Sequence, residues 1–307
     1  MTKVITRRIL KAAPAPAVVA APAAKKAERV AMAAPAKSPY TRFRPQIRSR
    51  HPSHNCLRDT LERLPFPSVI RFGSTTELPD TVAKGGRRVE INTVEAVKTS
   101  ANKLLMKEAF AAANVRTAAW IRTANVEQIR AFFNEHGAVV AKSFFGSRGE
   151  GNTLLRTMDE LNTFILANTV NNFVFEKFYN YAREYRLHVT AEGCFYTCRK
   201  MLKNDTPDDQ RWYRNDSNCV WILDTNPSFN RPTCWDAIVE QSVAALNAVG
   251  LDIGAVDVKV QLDSTKRGSR RQTQDFVILE INSAPAFGEL TEELYREELV
   301  KLLKAKK

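Results

Sequence analysis

Two short apolar, β-branched runs, Gly254–Val260 and Phe276–Asn282, constrain the fold most, because carboxylate and amide side chains are set into them. A strand alternates its faces with period two, so Glu280 and Asn282 project to one side. Ile278 and Ile281, three apart, are left to meet apolar neighbours on one side or the other. If the runs pair as a hairpin across residues 262–275, Asp257 joins Glu280 and Asn282, and three hard oxygen donors converge. Such a set suits Mg²⁺, which takes a few protein oxygens and completes its octahedron with water and phosphate oxygens. One acid alone reads as an exposed strand end. The set of two acids and an amide, leading into Asn282-Ser283-Ala284-Pro285-Ala286, reads as a metal site, because clustered unpaired carboxylates in an apolar strand are costly.

With 307 residues and 44% hydrophobic content, the chain can bury a large core and exceeds the usual single-domain range. Two or three lobes are expected. No run of about 18 apolar residues occurs, so no membrane span is expected. Five cysteines (Cys56, Cys194, Cys198, Cys219, Cys234) form an odd set without Cys-x-x-Cys spacing. They read as reduced thiols of a cytoplasmic protein. Cys194 and Cys198 can share a strand face, but nothing nearby completes a zinc site.

The net charge of +13 is unevenly placed. Residues 1–50 hold twelve Lys or Arg against the single acid Glu28, a local +11, which leaves +2 for the rest. Residues 1–39 are rich in Ala, Pro, Val and Lys without an aromatic residue, with alternation as in Ala13-Pro14-Ala15-Pro16. Proline breaks helices and stiffens the backbone toward polyproline II, so a disordered basic tail is expected. Four roles stay open for it: a spacer, an electrostatic arm for nucleic acid or another acidic partner, a targeting segment, or attachment to a larger assembly.

Along the body, residues 40–91 read as a short α/β lobe, with a helical turn near 56–63 and strands at 68–73 and 88–91. An amphipathic helix follows over 100–113, with Leu104, Leu105, Ala109 and Ala112 at helical spacing. Lys103 falls in its first turn, where the macrodipole disfavours a cation unless an anion joins it. After a strand at 118–121 and a helix at 126–134, the strand 138–142 runs into Ser143-Phe-Phe-Gly-Ser-Arg-Gly-Glu-Gly151. Such a loop can fold its N–H groups over phosphates, with Lys142 to neutralise charge. It is neither a Walker loop nor a dinucleotide fingerprint. A helix at 158–167 and a strand at 173–179 precede Arg183–Val189, whose alternation puts Glu184, Arg186 and His188 on one face. Strands at 193–200 and 220–222 then flank a polar loop. A helix at 235–249 precedes the opening pair, and one at 289–304 closes the chain.

In this order the signals resemble the ATP-grasp superfamily over roughly residues 69–287. The matching parts are Ser100-Ala-Asn-Lys103, Val139-Val-Ala-Lys142 through Gly151, Phe175-Glu-Lys-Phe-Tyr179, Arg183-Glu-Tyr-Arg186, and Asp257 followed by Glu280-Ile-Asn282. The similarity is greatest to the carboxylate–amine ligase branch, which includes glutathione synthetase and D-alanine–D-alanine ligase. The phrase Val69-Ile-Arg-Phe-Gly73 and the short first lobe resemble ATP-grasp proteins of bacteriophages. The implied architecture is α/β. A small lobe (92–180) and a large lobe (181–307) clamp ATP, preceded by a truncated lobe (40–91) and the tail (1–39).

The resemblance implies roles residue by residue. Lys103 and Lys142 would contact phosphates, under a loop containing Ser147, Gly149 and Gly151. Glu176 would take the adenine amino group, the backbone near Phe178 the ring edge, and Glu184 the ribose. Asp257, Glu280 and Asn282 would hold one or two Mg²⁺, with Mn²⁺ as an expected substitute. Arg186 and Arg199 would grip a substrate carboxylate and the tetrahedral oxyanion, since a guanidinium matches a carboxylate fork. The implied reaction joins a carboxylate to an amine through an acyl phosphate. Two other classes stay open: a kinase-like or regulatory nucleotide-binding protein, and a virion or nucleic-acid component acting through its tail.

Overall fold

The computed structural model describes residues 42–79, 87–146, 151–262 and 273–307. The tail assigned to 1–39, and Ser147 and Gly149 of the glycine-bearing loop, lie outside the described residues. Three sheets organise the rest.

The first sheet is parallel, in the order β1 (Gln46–Ser49), β2 (Ser68–Phe72), β3 (Val89–Ile91). The sequence showed no strand at β1, which is polar and follows a proline. Beside it runs the short helix α1 (Leu57–Thr60). The sheet's core is completed from the far end of the chain, as Tyr295, Leu299 and Leu303 pack with Ile47, Leu57, Ile70 and Phe72.

Asn92 follows β3 with φ 58°, a left-handed conformation that asparagine tolerates. Fully buried, it accepts from the backbone N–H groups of Asp252 and Ile253 and donates to the carbonyls of Arg71 and Ile253. Helix α2 (Val94–Ala101) then stops, and Asn102 caps α3 (Lys103–Ala112) by accepting from the amides of Leu104 and Leu105. The helix expected over 100–113 thus starts later, at Lys103, because Ser100 and Ala101 finish α2 and Asn102 is a capping residue.

The second sheet is antiparallel, in the order β4 (Trp120–Ile121), β7 (Phe173–Lys177), β5 (Val139–Ser143), β6 (Asn152–Leu155). Helices α4 (Val126–His136) and α5 (Met158–Ala167) cover one face, where Ile129, Phe133, Leu161 and Phe164 meet Val139, Ala141 and Phe175. The alternate residues Lys142 and Glu176 therefore point to the other face.

The third sheet has the order β10 (Cys219–Leu223), β9 (Gly193–Leu202), β8 (Arg183–Thr190), β11 (Ile253–Leu262), β12 (Thr273–Asn282). Its apolar face, with Tyr185, Leu187, Val256 and Val258, packs on α2, α3 and α6 (Trp235–Ala248). The hairpin read from the sequence forms, with Asp257 opposite Glu280. A register shift lets Val258 face Ile278, so Leu279 is an extra residue on β12. This bulge resolves the phase of the two isoleucines: Ile278 and Ile281 both reach the helix-side core. The last helix, α7 (Glu289–Ala305), returns to the first sheet.

Candidate active site

The uncovered faces of the second and third sheets bring their charged residues together. On β5 and β7, Lys142 Nζ donates to Glu176 Oε1 at 2.7 Å. Helix α3 adds a second cation to the same carboxylate, with Lys107 Nζ 2.5 Å from Oε2. Lys107 is 1% exposed and also donates to the Thr117 hydroxyl. Burial alone would raise the Glu176 carboxyl, but the two lysines hold it down to about 2. Both oxygens are engaged, so its side chain is a lysine organiser here, not a free acceptor for an adenine amino group. One helical turn before Lys107, Lys103 donates to the Gly146 carbonyl at 3.0 Å.

The loop after β5 is closed by Ser143 N–H donating to the Gly151 carbonyl at 3.0 Å. Gly151 has φ +72°, and a Cβ there would fall 2.6 Å from Ser143 Oγ, so both backbone and space demand glycine. At the hinge after β7, Phe178 N–H already donates to the Ala138 carbonyl at 2.9 Å, which removes that amide as a reader of a base.

On the third sheet, strand register sets the site. Asp257 lies opposite Arg186, Lys259 opposite Glu184, and Glu184 opposite Lys200. Arg186 grips Asp257 with two parallel bonds, Nε to Oδ1 at 2.7 Å and Nη2 to Oδ2 at 2.8 Å. Lys200 donates to both Asp257 Oδ2 (2.7 Å) and Glu184 Oε1 (2.8 Å). Trp221 on the edge strand β10 lies under these cations, 5.0 Å from the Arg186 guanidinium and 5.6 Å from Lys200 Nζ.

Lys259 is buried with its Nζ 4.2 Å from the Tyr181 ring centre, and Arg214 lies over the same ring at 4.3 Å. Burial pulls the Lys259 ammonium down to about 8, against the opposing pull of Glu184. Lys259 also feels Lys142 and Glu176 of the opposite sheet, and Lys103 feels Glu280, which ties the two faces into one cluster. Lys107, Lys259 and Trp221 were not among the residues singled out as site candidates, although Lys259 follows Asp257 by two on one strand and so shares its face.

Arg199 is not in this cluster. It pairs with Tyr185 in the β8–β9 register, which puts it on the helix side of the sheet, where it donates to the Ser228 carbonyl at 2.6 Å. His188 shares the face of Glu184 and Arg186, but its Nδ1 is 2.9 Å from the Tyr295 hydroxyl. Burial, then Arg186, lowers its imidazole to about 3, so it stays neutral.

Of the three expected metal donors, Glu280 and Asn282 fit a hard cation. Both are half-buried, and Asn282 Nδ2 donates to Glu280 Oε1 at 3.3 Å. Asp257 does not stand free beside them, because both its oxygens serve Arg186 and Lys200. Among the described residues, no group of three His, Cys, Asp or Glu side chains could hold a metal ion, so a site here depends on the Asn282 amide.

No protein-family model and no curated protein matches the chain. Solved structures do. An N5-carboxyaminoimidazole synthetase from Staphylococcus aureus, complexed with ADP, superposes with a TM-score of 0.55 at 16% identity, over 77% of this chain and 60% of that one. A D-alanyl-alanine synthetase A from Vibrio cholerae gives 0.53 at 11% identity, over 80% and 78%. The ATP-grasp ligase PsnB, complexed with a minimal precursor, gives 0.49 at 16% identity, over 72% and 65%. The chain has an ATP-grasp fold. It spans 65% of the length of PsnB and 60% of that of the synthetase, and at these identities the likeness speaks for the fold alone.

Proposed function

We propose that this ATP-grasp chain is an ATP-dependent carboxylate–amine ligase that binds Mg-ATP between its second and third sheets. The observation that carries the reading is charge. Among the described residues, seven cations (Lys103, Lys107, Lys142, Arg186, Lys200, Arg214, Lys259) meet four carboxylates (Glu176, Glu184, Asp257, Glu280), a surplus of three positive charges in a largely buried cluster. A cluster of that sign is balanced by a polyanion. Mg-ATP together with a substrate carboxylate brings about three negative charges, which is the balance phosphoryl transfer requires.

In this reading Lys103, Lys142 and the loop through Gly151 hold phosphates, and Glu184 faces the ribose. Glu280 and Asn282 hold Mg²⁺, or Mn²⁺ in its place, which when bound neutralises phosphate charge. Arg186, aligned by Asp257, presents its remaining N–H groups to the substrate carboxylate as that group attacks the γ-phosphorus. ADP leaves, and an amine then displaces phosphate from the acyl phosphate. Residues 92–180 and 181–307 are proposed as the clamping lobes, with 40–91 as a reduced first lobe. The basic tail is proposed to meet an acidic partner apart from the chemistry.

The test is ADP and phosphate release in Mg²⁺ across paired carboxylates and amines, with amide product followed by mass. Unchanged ATP turnover in Asp257→Asn and Glu280→Gln would end the reading. Phosphate release without amide in every pair would favour a kinase-like or regulatory protein.

A further inference from the structure

Glu176 is a buried carboxylate with two lysines, and the two are not equivalent. Lys142 lies on the open face of β5, directly before the phosphate loop, and is 8% exposed. Lys107 is 1% exposed, comes from α3, and is anchored a second time by Thr117. Nothing in the proposed reaction uses Lys107, yet burying a third charge beside an already paired carboxylate and lysine is costly unless the extra cation serves a purpose.

We propose that Lys107 is a positioning residue, the permanent counter-ion of Glu176 that frees Lys142 to move onto the nucleotide phosphates. This rests on the nucleotide reading above. Before nucleotide arrives, Glu176 holds Lys142 extended along the cleft face, so the lysine is ordered and its charge compensated. When a phosphate takes the Lys142 ammonium, Glu176 keeps Lys107 and remains an ionised, paired group. Without Lys107 the same transfer would strand a carboxylate that is 4% exposed, so Lys142 would stay on Glu176 and the phosphate would lose its partner. The arrangement is a charge hand-off with three members: a fixed cation, a shared anion and a transferable cation. No proton or covalent bond changes hands.

The test is Mg-ATP affinity by titration calorimetry, and KM against kcat for ATP turnover, in the full chain and its Lys107→Met, Glu176→Gln and Lys107→Met/Glu176→Gln variants. Thermal melts check that each variant is folded. Lys107→Met is expected to weaken Mg-ATP binding about 10- to 100-fold, with KM rising far more than kcat falls. In the Glu176→Gln background there is no carboxylate to strand, so adding Lys107→Met is expected to change affinity by less than about 3-fold.

A purely structural role for Lys107 would leave the double variant as impaired as the single one, and that result overturns the proposal. So does Lys107→Met binding Mg-ATP as tightly as the unaltered chain. If Lys107→Met does not fold, Lys107→Gln/Glu176→Gln, compared with Glu176→Gln, carries the same decision. If the unaltered chain takes no Mg-ATP, the nucleotide reading itself falls, a distinct outcome that removes this proposal with it.

Discussion

Asp257 offers the sharpest test of the site's electrostatics, through the substitution Asp257→Asn. The carboxylate is 2% exposed and holds Arg186 by two bonds and Lys200 by a third. Burial alone would raise its pKa, but Arg186 and then Lys200 outweigh that and hold the carboxyl well below the usual carboxylate range. Removing one member of a buried ion pair typically costs about 3–5 kcal/mol. Asparagine keeps one acceptor oxygen, and Lys200 keeps Glu184, so a loss of about 2–4 kcal/mol is expected.

At about 2–4 °C per kcal/mol for a folded body of this size, Tm should fall by roughly 4–16 °C at pH 7. The sign of the pH dependence follows from the lowered folded value. The stabilisation is present above the unfolded value near 3.9 and is lost as pH falls through the folded one. The gap between the two proteins should therefore be constant from about pH 5 to 8 and narrow below about pH 4. The assay is calorimetric or spectroscopic melting in metal-free buffer. An acid kept only as a metal ligand would cost nothing to neutralise there. A Tm unchanged within about 2 °C would therefore refute the ion-pair reasoning.

Three further outcomes are expected. Lys259→Met should stabilise the protein by about 3 kcal/mol at pH 7, because burial holds the ammonium near 8 against an ordinary 10.5. The unfolded chain binds the extra proton between those values, so the advantage should fade by about pH 10 in parallel melts. Arg186→Ala should reduce ATP-dependent turnover by about 100-fold or more, whereas Arg199→Ala, on the far side of the sheet, should leave it within about 3-fold. Glu280→Gln and Asn282→Ala should each raise the Mg²⁺ concentration needed for half-maximal turnover by about 10-fold or more, read from a metal titration at fixed ATP.

The hairpin of β11 and β12 was legible because β-branched runs with period-two polar positions admit few other structures, and Asp257 opposite Glu280 followed from it. Helix α5 was legible to the residue, and the structure shows why its start is sharp: Thr157 and Glu160 form a capping box. Strand β1 was not, because what makes it a strand is supplied by β2 and α7, far away in sequence. Arg199 and Lys200 show where sequence parity fails. Neighbours on a strand take opposite faces, but only the pairing with Glu184 and Tyr185 tells which of the two enters the cleft. Lys107 reads as a solvated residue of an amphipathic helix, and its burial is created by the sheet that carries Glu176. Its spacing of four from Lys103 was the available signal. The order of motifs could point to the fold, whereas the pairing partners of the charges are tertiary facts.

Helix α7 has a consequence for how the molecule is made. The strands of the first sheet lie within residues 46–91, yet its core is completed by Tyr295, Leu299 and Leu303. The Asn92 clasp likewise needs Asp252 and Ile253. During synthesis that sheet has neither its covering helix nor its clasp until some 200 later residues have been added, the separation between residues 91 and 295. Such long-range closure is slow and leaves apolar strand surface open meanwhile. The segment translated early is thus finished late, and for that interval Ile47, Ile70 and Phe72 are the surface a chaperone would meet.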